Sequence, residues 1–309
     1  MKILVIFTGG TIGSALNNGW IAPNTATRYT LIDNYKQKYC DVVCFVTRSP
    51  YTVLSENLSA DTLKKLADEV LKAQTEDFDG IIVTHGTDTL QFSAAALAYA
   101  TGNDCKPTVL VSANYPLDDK RSNGNDNFKA AVDFIKHGST RGVFIAYKNA
   151  NDTVAFHNAL STLKHLEADD AVYSLYGEVY AKEINGEIKI LGKTKPCEKL
   201  PVKFLDDSKI LVVDIHPADS YLYSLENYKA VIFRPYHSGT LNTDSAAFKA
   251  FCNRAKDIGI PLYAVNGLNG ATYESTKCYQ ELGIMQLQNT TFTAAYVKLW
   301  MELSKGDYR

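Results

Sequence analysis

The sequence lacks an excess of charge of either sign. Its 309 residues include 32 Lys and Arg and 34 Asp and Glu, so the formal net charge is -2. A chain this balanced has no overall field that would attract nucleic acid or an acidic membrane surface. We therefore expect no nucleic-acid partner, and we expect specificity to come from a local site.

Long apolar runs are also absent. No stretch of about 18 apolar residues occurs, which argues against a membrane-spanning helix. The first apolar segment, K-I-L-V-I-F at 2–7, is too short for a signal peptide, and it continues into T-G-G-T rather than a small-residue cleavage site. We interpret it as a first buried strand, and we expect a cytoplasmic protein with no membrane association.

Clustered metal or disulfide ligands are missing as well. The six cysteines form no C-x-x-C pair, and the six histidines show no H-E-x-x-H or similar spacing. We expect reduced, mostly buried thiols, no metal site and no cofactor.

What the sequence does contain is an alternation of short apolar, β-branched runs with amphipathic stretches. This order predicts an α/β fold with a doubly wound, mostly parallel sheet. Strands are predicted at 3–7, 80–84, 108–112, 143–147, 210–215, 230–234 and 262–265. Helices are predicted at 60–73, 89–101, 128–137, 243–258 and 291–303, with Ser59 as an N-cap and Gly102, Gly138 and Gly259 just past three helix ends.

One segment breaks the alternation. Two short strands at 178–184 and 187–191 flank Asn185-Gly186, a strong hairpin signal. The proline-containing, charged segment that follows is typical of a linker. We predict a larger N-terminal catalytic domain over 1–191 that ends in this β-hairpin, a linker over 192–208, and a smaller C-terminal α/β domain over 209–309.

The first motif is T-G-G-T-I-G-S at 8–14, directly after strand one. Its glycines allow a sharp turn and a close approach to a ligand. It has no glycine at position 8, where a G-x-G-x-x-G loop needs one, and the chain has no P-loop. Nucleotide binding and a plain tight turn both remain open. Residues 15–30, rich in Asn, Thr, Gly and Pro, predict a mobile loop.

The second motif is T-H-G-T-D-T at 84–89, between a predicted strand and an Ala-rich helix. Open α/β sheets bind ligands at the carboxyl ends of their strands. Thr87 or Asp88 could instead simply cap the helix. We expect His85 to be a hydrogen-bonded structural histidine rather than a base.

Together, T-G-G-T-I-G at 8–13 and H-G-T-D-T at 85–89 resemble the bacterial-type L-asparaginase (asparaginase/glutaminase) family, in its cytoplasmic, type I-like form. Further similar segments are S-E-N-L at 55–58, V-S-A-N-Y-P at 111–116, S-N-G-N-D-N at 122–127 and R-P-Y-H-S-G-T at 234–240. The resemblance covers nearly the whole chain and becomes weaker after residue 115. It implies a hydrolase that converts L-asparagine to L-aspartate and ammonia, and it leaves glutamine open as a second substrate.

The resemblance also implies catalytic roles. Thr11 would be the nucleophile that forms an acyl-enzyme. Thr87 would be a second essential threonine, served by Asp88 and by a lysine, for which Lys164 is the best candidate. A solvated helix lysine is the alternative for Lys164, because a lysine acts as a base only where burial or neighbours lower its pKa.

Substrate contacts follow from the same resemblance. Ser55 and Glu56 would hold the α-carboxylate and α-ammonium, unless they form an ordinary turn, and Ala113 lies in a segment that resembles a substrate-binding strand end. The loop over 14–30 would act as a lid. Trp20 stands where the family has a tyrosine and has no hydroxyl to relay a proton, and Tyr29 could substitute for it.

The implied partner is a small molecule, L-asparagine, in a homodimer or homotetramer. Two alternatives remain open. One is an ammonia-supplying subunit of a tRNA-dependent amidotransferase, although such a subunit usually carries a further N-terminal domain and we expect this chain to begin at strand one. The other is a non-catalytic asparagine-binding protein, suggested by Trp20 and by Thr240, which replaces a family asparagine.

Overall fold

The structure is a computed structural model that describes residues 1–10, 12, 14–17, 20–23, 29–39, 41–138, 140–265 and 273–306, with the backbone alone for 14–17 and 20–23. The chain divides into two compact units, Met1–Asp206 and Asp207–Arg309. No helix in the described part has the length and apolar character needed to cross a membrane.

The first unit contains these described elements. Its strands are β1 (Lys2–Phe7), β2 (Ser14–Asn17), β3 (Trp20–Pro23), β4 (Cys44–Arg48), β5 (Gly80–Thr84), β6 (Thr108–Val111), β7 (Val143–Lys148), β8 (Val154–Asn158), β9 (Ala181–Ile184) and β10 (Glu187–Ile190). Its helices are α1 (Thr30–Lys38), α2 (Ala60–Gln74), α3 (Leu90–Thr101) and α4 (Gly124–His137), with short 3-10 helices at Ser55–Asn57 and Leu175–Gly177.

The large sheet has the strand order β10-β9-β8-β7-β6-β5-β1-β4. The five neighbouring strands β4, β1, β5, β6 and β7 are parallel to one another. Strands β8, β9 and β10 continue the sheet in antiparallel fashion. The mostly parallel α/β fold is therefore confirmed, and the Asn185-Gly186 hairpin forms the outer edge of the sheet.

Helices cover both faces of this sheet. Alternate strand residues face opposite sides, and Ile3 and Val5 pack in one core with α1 and α4, including Phe128. Leu4 and Ile6 are fully buried on the other side, where α2 and α3 pack together. Because central strands such as β5 and β6 are buried at every position, they read as continuous apolar runs rather than alternating ones.

Local signals set the helix ends. The Ser59 hydroxyl accepts the N–H of Thr62 at 3.3 Å while the Thr62 hydroxyl accepts the N–H of Ser59 at 2.9 Å, which confirms the predicted N-cap as a capping box. Gly102, Gly138 and Gly259 all have positive φ at helix ends, as predicted.

The second unit is a smaller α/β sheet. Its elements are β11 (Ile210–Asp214), β12 (Ala230–Arg234), α5 (Ala246–Asp257), β13 (Leu262–Val265), a 3-10 helix at Glu274–Tyr279, β14 (Ile284–Leu287) and α6 (Phe292–Leu303). The strands are parallel in the order β11-β12-β13-β14. Val231 and Phe233 face α5, and Ala230 and Ile232 face α6.

The prediction of a mobile loop over 15–30 missed regular secondary structure in part of this segment. Ser14–Asn17 and Trp20–Pro23 pair as antiparallel strands, and α1 begins at Thr30. The sequence between these strands is Asn-Gly at 18–19, the same two-residue hairpin signal used at 185–186. Polar composition obscured that signal.

The expectation for the cysteines holds only in part. Every described cysteine is a free thiol, but only Cys105 and Cys252 are buried, and Cys44 is exposed at the start of the edge strand β4. Cys40 lies outside the described residues.

Candidate active site

The candidate site lies where the strand order of the first unit reverses. The chain runs from β1 to β4 on one side of β1 and then crosses to β5 on the other side. Such a switch point separates the loops that follow the two central strands and leaves a crevice at their carboxyl ends. The two motifs, at 8–14 and 84–89, follow β1 and β5 at this point.

Glycines let the backbones of these loops meet. A Cβ atom placed on Gly10 would lie 2.3 Å from the backbone nitrogen of Gly86, and one placed on Gly86 would lie 2.4 Å from the Ser55 hydroxyl. Gly9 has a φ of 112°, and a Cβ there would lie 2.2 Å from the Val53 carbonyl oxygen. The residues immediately before Thr11 and Thr87 are therefore in backbone contact. Thr11 itself lies outside the described residues.

The loop before α2 contributes directly to this junction. The Ser55 hydroxyl, which is buried, donates to Asp88 Oδ2 at 3.0 Å, and the Thr89 hydroxyl donates to the Ser55 carbonyl at 2.8 Å. Ser55 and Asp88 are thus brought together, as expected of residues that share one site.

The capping alternative for Thr87 and Asp88 is wrong. The N-cap of α3 is Thr89, and its side chain makes no capping hydrogen bond. The Asp88 carboxylate accepts from Ser55 instead, so it faces the neighbouring loop. Asp88 is exposed and Thr87 is half-buried, which leaves both side chains open to a ligand.

His85 is a buried structural histidine, as expected. Its Nδ1 lies 2.8 Å from the Gly86 carbonyl oxygen, and its Nε2 lies 2.8 Å from the Ser93 hydroxyl of α3. Burial in this apolar surrounding lowers the pKa of His85, with smaller opposing effects from the Gly86 carbonyl and Asp88.

The end of β6 closes another side of the junction. Ala113 is buried, and a Cβ on Gly124, at the start of α4, would lie 3.0 Å from its side chain and 3.4 Å from Ile12. The backbone N–H of Asn114 donates to Asn123 Oδ1 at 3.0 Å, and the backbone N–H of Asn123 donates to Asn114 Oδ1 at 3.1 Å. This reciprocal pair fixes the loop that carries Ala113.

Lys164 lies farther from the junction. The segment that carries it is held near the carboxyl end of β7, since Val172 exchanges two hydrogen bonds of 2.9 Å with Asn149, and His165 contacts Tyr147 with ring centroids 6.4 Å apart. Lys164 is exposed and is not helical. Among the described residues no hydrogen bond or ion pair joins it to Thr87 or Asp88.

The remaining predicted residues lie at the rim or outside the description. Glu56 is exposed beside Ser55. Tyr29 is 52% exposed, and its ring packs edge-on against Phe7 at 6.0 Å. Trp20 lies in β3, and its side chain is not among the described ones.

Sequence reasoning missed the partners that hold the site residues in place, chiefly Ser93 and the Asn114–Asn123 pair. Ser93 had a signal, because it is a polar residue on the fully buried, Ala-rich face of α3. A hydroxyl at such a position needs a partner within the core.

A separate cavity of about 350 Å³ lies between α1 and α4. Its walls include Leu31, Tyr35 and Phe128, and none of the predicted site residues lines it. Neither sequence motif contributes to this cavity, whereas both motifs meet at the switch point, which is therefore the candidate functional site. Among the described residues no group of three or more His, Cys, Asp or Glu could hold a metal ion.

The doubly wound sheet and the glycine-lined switch point define an α/β protein with one crevice between the loops after β1 and β5. The family is shown by the family model for the N-terminal domain of asparaginases, which matches residues 2–190. The chain therefore belongs to the asparaginase family.

Individual relatives fall into two groups. A glutamyl-tRNA(Gln) amidotransferase subunit from Metallosphaera sedula is 25% identical over 323 residues, which cover 98% of this chain and 72% of that protein. The thermostable L-asparaginase from Thermococcus kodakarensis has a TM-score of 0.81 at 21% identity, covering 100% of this chain and 94% of that chain. The probable cytoplasmic L-asparaginase from Campylobacter jejuni has a TM-score of 0.78 at 21% identity, covering 99% of this chain and 95% of that chain. These two structural similarities support the fold.

Proposed function

We propose that this protein is an L-asparaginase that hydrolyses the side-chain amide of L-asparagine through an ester on Thr11. The observation that supports the proposal is the backbone contact of Gly10 with Gly86, because these two glycines directly precede Thr11 and Thr87 in the chain. Amide hydrolysis needs a nucleophile, a proton acceptor and groups that stabilise the oxyanion, all within reach of one carbonyl carbon.

In the first step the Thr11 hydroxyl oxygen attacks the amide carbon, and its proton passes to the base. The tetrahedral intermediate then breaks its C–N bond, and the leaving nitrogen takes up a proton and departs as ammonia. Water attacks the resulting ester, the C–O bond to Thr11 breaks, and aspartate leaves. The threonine hydroxyl is regenerated, so atoms and protons balance over the cycle.

Thr87, Asp88 and Lys164 handle the protons in this proposal. An unassisted threonine hydroxyl is a weak nucleophile at neutral pH and needs a neighbouring base. Lys164 serves as that base once the substrate-bound site brings it to Thr87 and shields it from solvent, and Asp88 orients its amino group. The exposed position of Lys164 makes this the part of the mechanism that depends most on closure of the site.

Substrate capture uses the polar groups before α2 and after β5. Ser55 and Glu56 hold the α-carboxylate and the α-ammonium, Asp88 adds a second acceptor for the ammonium, and the buried Ala113 faces the amide end. The segment that contains Trp20 and Tyr29 covers the bound amino acid and excludes water, which strengthens these interactions.

The setting proposed with this activity is cytoplasmic, and the assembly is a homodimer or a homotetramer. The support is the family membership and the similarity to the probable cytoplasmic L-asparaginase from Campylobacter jejuni. Neither a cofactor nor a metal has a role in the proposed chemistry.

The test is ammonia release from L-asparagine and from L-glutamine by the purified protein. We expect turnover of asparagine and an aspartyl ester on Thr11 that mass spectrometry detects after acid quenching. Absence of both would reject the proposal. The two amides differ by one methylene, which a fitted pocket distinguishes by about 1–3 kcal/mol.

A second candidate is an amidotransferase subunit that supplies ammonia to a partner enzyme. It is favoured by the similarity to the Metallosphaera sedula amidotransferase protein along 98% of this chain. In that case the isolated protein would release ammonia slowly, and co-expression with the partner enzyme would raise the rate. Free turnover that is independent of any partner supports the asparaginase.

A further inference from the structure

We propose that His85 is a positioning residue, which holds the Gly86–Thr87 peptide in one orientation and ties it to helix α3 through Ser93. The inference rests on the proposed function, since the orientation matters because Thr87 belongs to the reacting site. His85 itself would not contact the substrate.

The hydrogen bonds define a single tautomer of the imidazole. A backbone carbonyl only accepts, so Nδ1, 2.8 Å from the Gly86 carbonyl oxygen, must carry a proton and donate it. In a neutral ring Nε2 is then a bare acceptor, and the Ser93 hydroxyl, 2.8 Å away, donates to it.

Burial keeps the ring neutral. His85 is 2% exposed and Ser93 is 0% exposed, so neither group exchanges its partner for solvent. Desolvation disfavours the charged imidazolium, and this is why the pKa of His85 is lowered. The chain of hydrogen bonds from α3 to the loop therefore stays intact at neutral pH.

The peptide held by His85 is the one that enters Thr87. In a trans peptide the C=O and N–H groups point in opposite directions. Since the Gly86 carbonyl is directed inward to His85, the Thr87 amide is directed away from it. The other side of Gly86 is occupied by Gly10 and by the Ser55 hydroxyl, so the peptide has little freedom to rotate.

Helix α3 supplies the rigid support. Besides Ser93, the backbone amide of Leu90 donates to the Thr87 carbonyl at 3.3 Å, so the loop is attached to the helix both before Thr87 and at Thr87 itself. A displacement of about 1 Å at a reacting group can reduce a rate about a hundredfold. Loss of the His85 support should therefore reduce the chemical step more than substrate binding.

Substitutions at His85 separate the two hydrogen bonds. In His85→Asn the amide nitrogen is bonded to Cγ, as Nδ1 is in histidine, so it can still donate to the Gly86 carbonyl. His85→Leu fills a similar volume and donates nothing. We expect kcat for asparagine to fall about 10- to 100-fold in His85→Leu and by less than about fivefold in His85→Asn, with KM changed by less than about threefold in both.

Ser93→Ala tests the link to the helix and has a matched control. Thr101 is also a buried hydroxyl residue of α3, but its hydroxyl donates to the Leu97 carbonyl at 2.8 Å, far from the loop. We expect Ser93→Ala to lower kcat about three- to tenfold. Thr101→Ala should lose similar thermal stability while kcat stays at the wild-type value.

An independent measurement is the tautomer of His85 by NMR of ¹⁵N-labelled histidine, with His85→Asn assigning the signal. A proton on Nδ1 is expected, and one on Nε2 would overturn the inference. Equal kcat in wild type and His85→Leu would also overturn it and leave the proposed function standing. A wild type that releases no ammonia would instead reject the proposed function. His85 with a proton on Nδ1 would then still hold the loop, but it would have no role in catalysis.

Discussion

The two parallel sheets of this protein show what a reversal of strand order achieves. In the first unit β1 lies between β4 and β5, and the loops after β1 and β5 meet through Gly10 and Gly86. In the second unit the described strands follow one another in sequence order, without a reversal. Only the first arrangement leaves a crevice between neighbouring loops.

The loops of the second sheet are tied to one another instead. Arg234 forms a 2.7 Å ion pair with Asp214, which ends the neighbouring strand, and its guanidinium lies 4.2 Å from the Phe292 ring centroid. The Tyr279 hydroxyl donates to the Gly239 carbonyl at 2.9 Å. These described groups are paired with one another, whereas Thr87 is half-buried and Asp88 is exposed at the crevice of the first unit. Parallel strands can therefore end either in loops that bind one another or in loops that leave a site open to a ligand.

The largest expected difference between the units concerns threonine hydroxyls. Thr11→Ala and Thr87→Ala should each lower kcat for asparagine at least about a thousandfold, because the reaction loses its nucleophile or the group that serves it. Thr240→Ala, in the loop that follows β12, should leave kcat within about tenfold. Ammonia release by the three variants is the measurement, and full activity in either of the first two would remove the mechanism.

Glycine substitutions in the two units should differ in how much they lower the free energy of unfolding. Gly10 and Gly259 both have positive φ, of 79° and 72°, but a Cβ at Gly259 would have no atom within 4 Å. Gly259→Ala should cost only the conformational strain of about 1–2 kcal/mol. Gly10→Ala adds a clash with Gly86 and should cost about 2–5 kcal/mol in total.

Urea unfolding of both glycine variants measures the difference. Equal losses would mean that the loops after β1 and β5 separate easily. That result would contradict the tight junction on which the site depends.

A buried histidine of the first unit makes the free energy of unfolding depend on pH. His157 of β8 is 2% exposed, its Nδ1 lies 2.8 Å from the Ser174 hydroxyl, and burial, with a smaller effect of Lys182, lowers its pKa from 6.5 to about 4. The unfolded chain therefore binds the proton more readily, so the stabilisation is complete above about pH 6.5 and is lost as the pH falls to about 4. A shift of this size corresponds to about 3 kcal/mol.

His157→Gln should make the free energy of unfolding less dependent on pH between about 6.5 and 4, since the buried titrating group is gone. Chemical denaturation of wild type and His157→Gln at a series of pH values measures this difference, and parallel curves for the two proteins would refute the assignment.

The smallest expected effects distinguish a serine of the candidate site from a serine that caps a helix. Ser55→Ala removes the donor to Asp88 and should raise KM for asparagine about tenfold, the size of one charge-assisted hydrogen bond. Ser245 caps α5 by accepting the amide of Phe248 at 3.3 Å. Ser245→Ala should cost about 1 kcal/mol of stability and leave KM unchanged.

Many of the parallel strands could be predicted because a strand buried on both faces is a continuous run of apolar residues. The strands at 80–84, 230–234 and 262–265 match the structure to the residue. The missed strands have weaker marks. Cys44–Arg48 is an exposed edge with a mixed pattern, and Val154–Asn158 ends in His157 and Asn158 beside its apolar residues. Neither has the continuous apolar run that flags a central strand.

The site was predictable in its motifs but not in its contacts. The glycines of both motifs indicated close backbone approach, whereas nothing in the sequence identified Gly86 as the partner of Gly10, since 76 positions separate them. The bond from Ser55 to Asp88 likewise joins loops 33 residues apart. Helix α1 was not predicted, because Thr30 follows a polar segment. The start of α4, predicted at 128, was missed because Gly124-Asn125-Asp126-Asn127 contains poor helix formers.

The crowding of Gly9, Gly10 and Gly86 has a practical meaning for anyone who wishes to redesign this protein. Three positions at the heart of the crevice accept no side chain, so a library that varies them would consist mostly of unfolded members. Diversity belongs at solvent-facing neighbours such as Glu56, where a new side chain displaces no backbone and, under the proposed function, tests the choice of amide.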